Sequence, residues 1–255
     1  MWHCEDIVIH LSVNINKIAT LRNSRGESIP DLIEYARLIL DCGAHGLTIH
    51  PRSDERHITA SDIPMVKSLL VEYNKKSGYR EFNIEGEPSE RFLNIVTKYK
   101  PDQVTLVPVK PGEITSDHGF RFPEDEKNLQ PYIKKIRDEG MRVSLFVEAG
   151  VKNLGIAKKM GADRIELYTG PFAFAFDKSP DAGKILFEKY EETARIALEE
   201  GLEINAGHDL DEKNLAVFRS LPGLQEVSIG HRLLSSALRD GIPAVIKSYL
   251  DVLNL

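Results

Sequence analysis

Three histidines and two glutamates sit at or near the ends of short apolar runs that are far apart in the chain. His50 follows Gly46-Leu47-Thr48-Ile49, Glu85 follows Asn83-Ile84, Glu166 lies in Ile165-Glu166-Leu167, His208 follows Ile204-Asn205-Ala206-Gly207, and His231 follows Val227-Ser228-Ile229-Gly230. Gathered in one cavity, carboxyls and imidazoles perform general acid–base catalysis. Imidazole titrates near neutrality, and burial can raise a carboxyl into the same range. Amide and cationic groups accompany them: Asn14, Asn16 and Lys17 at the end of the first run, Arg25 just beyond, and Arg52 and His57 after the second. Glycines at Gly207 and Gly230 let backbone N–H groups approach a phosphate, and a helix starting near His231 would aim its positive end at one. Arg25 and Arg52 offer bidentate contacts to a second anion. The chemistry indicated is proton transfer on a phosphorylated small molecule.

Neither a metal nor an organic cofactor is expected. His50, Glu85 and His208 are suitable ligand types, but no sequence-local ligand spacing is present. Cys4 and Cys42 cannot form a disulfide framework or a zinc ribbon, and Cys42 reads as a small buried hydrophobe.

These residues can act together only if the fold brings the run ends together. Strand candidates at 9–15, 46–50, 81–85, 103–107, 142–147, 164–168, 203–205 and 226–229 alternate with segments of helical periodicity. Gly43, Gly140, Gly161 and Gly201 close helices, while Ser61, Ser89 and Asp211 are expected to open them. Eight strand–helix units imply an α/β fold of the TIM (β/α)8 type, one domain over 1–255, with active residues at the carboxyl ends of the strands. The Gly-x-Gly-x-x-Gly of an open dinucleotide-binding sheet is absent. Two connections are long. That at 108–123 reads as a lid, and that at 169–180, with Phe172, Phe174 and Phe176, reads as a packing or subunit contact.

The 255 residues include 33 basic and 39 acidic side chains, a net charge of −6, with 42% apolar and 28% charged residues. That acidic balance argues against a nucleic-acid partner. No apolar run approaches the roughly 18 residues of a membrane span, and the first residues lack a signal-peptide pattern, so a cytoplasmic protein is expected.

Several motifs resemble the pyridoxine 5′-phosphate synthase family, in family order from the first strand to the last. They are Val13-Asn14-Ile15-Asn16-Lys17-Ile18-Ala19-Thr20-Leu21-Arg22-Asn23, Gly46-Leu47-Thr48-Ile49-His50-Pro51-Arg52-Ser53-Asp54-Glu55-Arg56-His57-Ile58, Asn83-Ile84-Glu85, Val143-Ser144-Leu145-Phe146, Ile204-Asn205-Ala206-Gly207-His208 and Val227-Ser228-Ile229-Gly230-His231. The resemblance implies a phosphate-binding TIM barrel of vitamin B6 biosynthesis, assembled as a homo-octamer. It would condense 1-deoxy-D-xylulose 5-phosphate with 3-amino-1-hydroxyacetone 1-phosphate to pyridoxine 5′-phosphate, phosphate and water, without metal or organic cofactor. By the same resemblance His50 and Glu85 are proton acceptors, His208 a donor and Glu166 a transition-state stabiliser. Asn14, Asn16, Lys17, Arg25, Arg52, His57, Thr115, Asp209, Gly230 and His231 take substrate-binding positions, with Thr115 in a mobile loop over the site. The chain departs from the family pattern at Asn16 and Lys17, where Asp and His are usual, at Asp209, where Gly is usual, and at Pro51, where Leu is usual. Two alternatives follow from the same residues. One is a divergent cofactor-free phosphosugar aldolase or isomerase, with Lys17 the candidate Schiff-base lysine; the other is an inactive phosphosugar-binding protein.

Overall fold

The computed structural model describes residues 8–110, 112–113 and 116–254. The strands are β1 His10–Asn14, β2 Gly46–Ile49, β3 Glu81–Gly86, β4 Gln103–Leu106, β5 Arg142–Glu148, β6 Arg164–Tyr168, β7 Glu203–Gly207 and β8 Leu224–Ile229. The helices are α1 Asn16–Asn23, α2 Leu32–Asp41, α3 Asp62–Lys76, α4 Glu90–Tyr99, α5 Glu126–Asp138, α6 Leu154–Met160, α7 Gly170–Lys178, α8 Pro180–Glu199, α9 Glu212–Phe218, α10 His231–Asp240 and α11 Ile242–Leu253. Each strand pairs in parallel with the next and β8 returns to β1, so the sheet is the closed TIM barrel expected from the alternation.

Local sequence explains most element ends. Asp31, Ser89 and Asp211 accept backbone N–H bonds as N-caps of α2, α4 and α9, and Asp211 forms a full capping box with Asn214. Ser61 does not cap α3. Its hydroxyl pairs with that of Thr59, and the carboxylate of Asp62 instead takes the Thr59 N–H at 2.8 Å. Gly161 closes α6 at φ +101°, where a Cβ would be strained. Cys42 is half-buried rather than buried, and packs against the edge of the core.

The connection at 169–180 is largely a helix, α7. The alternating Phe-Ala-Phe-Ala-Phe masks a helical period in which Phe172 and Phe176 share a face, their ring centroids 5.9 Å apart. Pro171 and Pro180 each stand in the first turn of a helix, where the missing N–H costs nothing. Phe172 packs at 5.1–6.1 Å against Phe187, Tyr190 and Phe218, so it is a core residue, while Phe174 is 57% exposed. Phe218→Ala is expected to lower stability by about 3–5 kcal/mol through the cavity it leaves, read from denaturant unfolding; a loss below ~1 kcal/mol would mean that the cluster can collapse around it.

The hydrophobic core lies between the sheet and the helices, where Leu47, Ile84, Val104, Leu145, Ile165, Ile204 and Val227 are fully buried. The lumen is polar, unlike the branched-apolar filling usual for this fold. Hydrogen bonds between strands that are not neighbours can only cross it. Asn205 on β7 reaches Gln103 on β4 (3.3 Å), Ser228 on β8 reaches Thr48 on β2 (3.2 Å), and Thr105 on β4 reaches Glu166 on β6 (3.5 Å). Below the mouth Ser228, Thr48, Thr105 and Glu166 join Ser12 and Asn83 in one network, and Asn205 and Gln103 form a second with Glu226 and Arg164. At the foot, Arg142 meets Glu81 at 2.5 Å and Arg164 meets Glu203 at 2.6 Å.

Candidate active site

The strand ends expected to carry chemistry open on one mouth. Glu85, near the end of β3, is 5% exposed and accepts a bond from Asn14 Nδ2 at 3.4 Å. His50, just past β2, brings Nδ1 to 3.8 Å from Glu85 Oε2. Asn14 and Asn16 brace this pair: Asn14 Oδ1 accepts the Asn16 N–H (3.1 Å), and Asn16 Oδ1 accepts the His50 N–H (3.0 Å). Thus Asn16 acts first on the backbone of the His50 turn. The His57 ring lies 6.0 Å from His50, and its Nδ1 accepts the Ile58 N–H, which places the proton of the neutral ring on Nε2. His208, past β7, packs against Phe146 (5.2 Å) and the edge of Tyr168 (5.5 Å).

Glu166 lies a layer deeper, 1% exposed. A Cβ at position 207 would stand 2.5 Å from Glu166 Oε1, so Gly207 is what lets that carboxyl lie against β7. A Cβ at position 230 would meet the Asn14 carbonyl oxygen at 2.9 Å, so glycine is needed there too, where β8 turns into α10.

Burial and neighbours push the acids and bases toward each other. Burial, reinforced by Glu226, raises the Glu85 carboxyl to about 8. Burial and then Glu85 raise Glu166 well above the carboxylate range. Burial, Arg52 and the neighbouring histidines hold His50 well below 6.5, and burial with Arg52 and Lys17 lowers His57 to about 4. Burial lowers His208, opposed by Asp209 and helped by Lys17. At neutral pH the resting mouth therefore holds neutral imidazoles beside protonated carboxyls, groups that can exchange protons with a substrate without leaving a bare buried charge.

Positive charge at the mouth comes from Arg52 and Lys17, with Arg56 and Arg91 also acting on the histidines. Arg52 is 6% exposed, and its guanidinium makes no hydrogen bond or ion pair to any described residue. Lys17 is exposed, yet close enough to act on both His57 and His208. Asp209, at φ +59°, offsets Lys17 at His208, while its carboxylate also faces Arg232 (Nε to Oδ1 4.0 Å), which Asp211 (3.3 Å) and Asp177 hold as well. His231 is exposed at the start of α10. Arg25 is not brought to this group. Its side chain is 78% exposed, 3.9 Å from Glu27 on the turn after α1. Thr115 lies outside the described residues. Among the described residues of that connection, the Glu113 carbonyl accepts from Arg56 (3.1 Å), and the Phe120 N–H donates to the Phe146 carbonyl (2.9 Å). His118 lies between Asp117 (3.0 Å) and Glu113 (3.7 Å) and so ties the connection internally.

Comparison with known proteins adds to this geometry. The model of the family described as "Pyridoxal phosphate biosynthesis protein PdxJ" matches residues 11–255. A protein of Leptospira biflexa serovar Patoc named pyridoxine 5′-phosphate synthase is 57% identical over 252 residues, covering 96% of this chain and 97% of the relative. One of Chelativorans sp. (strain BNC1) with the same name is 46% identical over 246 residues, covering 95% and 98%. Solved structures with the same fold include one titled "Native KDPGal structure" (TM-score 0.59, 11% identity, 100% of both chains). Another is the tryptophan synthase α subunit of Legionella pneumophila (TM-score 0.61, 9% identity, 96% and 93%).

Proposed function

The chain belongs to the PdxJ family of pyridoxal phosphate biosynthesis proteins, and we propose that the mouth residues described above carry out the family's condensation. The activity is pyridoxine 5′-phosphate synthesis from 1-deoxy-D-xylulose 5-phosphate and 3-amino-1-hydroxyacetone 1-phosphate, with release of phosphate and water. Building a pyridine ring from two phosphorylated ketones requires imine formation, dehydrations, loss of one phosphate and ring closure. Each step puts a proton on a departing oxygen or takes one from carbon or nitrogen.

The observation that carries the assignment is the buried Glu85–His50 pair, 3.8 Å apart, with Arg52 buried and unpaired among the described residues nearby. Arg52 supplies the fork for a phosphate. His50 and the ionised fraction of Glu85 take protons from the substrate, His208 donates to departing oxygen on the other side, and Glu166 stabilises charge from below. Lys17, His57, Asn14, Asn16, Gly230, His231 and the Asp209 N–H hold the two substrates, and the connection containing Thr115 closes over them. Arg25, exposed in one chain, reaches a substrate only if assembly brings it to a mouth. Exposed apolar side chains such as Ile185 (71%) and Leu238 (84%) suit burial between subunits of a homo-oligomer, an octamer by family likeness. No described helix is long and apolar enough to cross a membrane, and the proposed site of action is the cytoplasm.

The test follows phosphate release, which is expected only when both ketones are present. Release or isomerisation with a single substrate would favour an aldolase- or isomerase-type barrel instead.

A further inference from the structure

Glu226 has no part in the chemistry assigned above, yet it is a carboxyl only 2% exposed, inside the lumen below the mouth. Asn205 Nδ2 donates to its Oε1 at 3.4 Å, and Asn205 stands in register between Glu226 on β8 and Glu166 on β6. Glu166 shares the Thr105 hydroxyl with Asn83, and Thr105 on β4 stands in register with Glu85 on β3. A path of buried polar groups thus runs from Glu226 to the mouth.

The charges in the lumen do not balance. Arg142 is held by Glu81 and Arg164 by Glu203, both at the foot. Glu226, Glu166 and Glu85 make no ion pair with any described lysine or arginine, and three buried carboxyls in one lumen do not all ionise near neutrality. The groups that act on Glu226 are Glu81 from β3, Arg142 from β5, and Arg164 and Glu166 from β6. His10 stands beside it in register on β1, and Glu203 reaches it only through Arg164; β4 brings the neutral Gln103. The net effect of burial and these neighbours raises the Glu226 carboxyl to about 8.

We propose that Glu226 is a positioning residue, the third member of a carboxyl column with Glu166 and Glu85, whose charge state governs whether those two carboxyls keep their protons. The proposal rests on the condensation activity assigned above. Ionised Glu226 repels charge at Glu85, so neutralising it lets Glu85 ionise at lower pH.

The experiment compares pH profiles of kcat/KM for wild type, Glu226→Gln, Glu226→Asp and Ser144→Ala. Glutamine can still accept from Asn205, so kcat at the optimum is expected to stay within about fivefold, while the Glu85 limb moves down by about one pH unit. Glu226→Asp restores the charge and the wild-type limb, and Ser144→Ala, an uncharged change in the same lumen, leaves it in place. An active Glu226→Gln enzyme with an unmoved limb overturns the proposal. Should that variant not fold, carboxyl infrared bands of wild-type protein with 13C-labelled glutamate decide. At least one buried glutamic acid is expected to be protonated at neutral pH and to titrate more broadly than a single site; complete ionisation at neutral pH overturns the proposal. The infrared arm needs no substrate, so wild-type protein that makes no product would count against the activity and not against the column.

Discussion

Glu85→Gln is expected to lower kcat by about 10³-fold while leaving the affinity for either phosphorylated ketone within about threefold. The amide keeps the shape and can still accept from Asn14, but it cannot exchange a proton with His50, 3.8 Å away. The pH dependence of stability provides an internal control. Glu85 is raised from 4.5 to about 8 in the folded chain, so its contribution is fully present below 4.5 and is lost as pH rises through 8. Glu85→Gln should therefore gain in stability relative to wild type between pH 5 and pH 8, even as activity disappears. Steady-state kinetics and thermal unfolding at the two pH values check both halves. Turnover near the wild-type rate would remove Glu85 from the acid–base role.

Arg52→Met is expected to act in opposite directions on binding and on stability. A buried guanidinium with no partner among the described residues carries a desolvation cost that an apolar side chain of similar length removes, so the ligand-free variant should be more stable by about 1 kcal/mol or more. The same change removes two charge-assisted hydrogen bonds to phosphate, each worth about 1.5–3 kcal/mol, so KM should rise by about 10²-fold or more. Because Arg52 also depresses both His50 and His57, the variant's histidines should titrate at higher pH than in wild type. Calorimetric binding of the phosphosugar and NMR titration of the imidazoles read these effects. An unchanged KM would show that Arg52 does not touch substrate.

The outward half of the barrel was legible in the sequence, and the inward half much less so. Runs such as Gly46-Leu47-Thr48-Ile49 announce buried strands, and all eight appear within a few residues of their expected bounds. The residues that close those runs, His50, Glu85 and His208, were readable because a parallel barrel sends every carboxyl-terminal strand end to one rim. The polar lumen was hidden in the same runs. Thr48, Asn83, Ser144 and Asn205 alternate with core residues and look like tolerated polar positions until the closed sheet turns them toward one another. Glu226 was passed over because it lies well before its strand end, although the alternation in Leu224-Gln225-Glu226-Val227-Ser228 already put it on the inner face. The position of Arg25 was not legible: nearness in sequence to a strand end says nothing about where the turn after α1 points. At Asp209 the usual glycine gives way to a carboxylate that lies 4.0 Å from Arg232 on α10, a neighbour that sequence distance conceals.

The central claim is that this mouth, with only its own acids, bases and cations, builds a pyridine ring from two phosphorylated ketones. The most direct measurement incubates chelator-treated wild-type protein with 1-deoxy-D-xylulose 5-phosphate and 3-amino-1-hydroxyacetone 1-phosphate, and follows product by absorbance and mass. Pyridoxine 5′-phosphate should appear in step with inorganic phosphate and should be lost in Glu85→Gln. Folded protein that binds the phosphosugar but forms no pyridine product would contradict the claim and leave Asn16 and Lys17 as the marks of a different substrate.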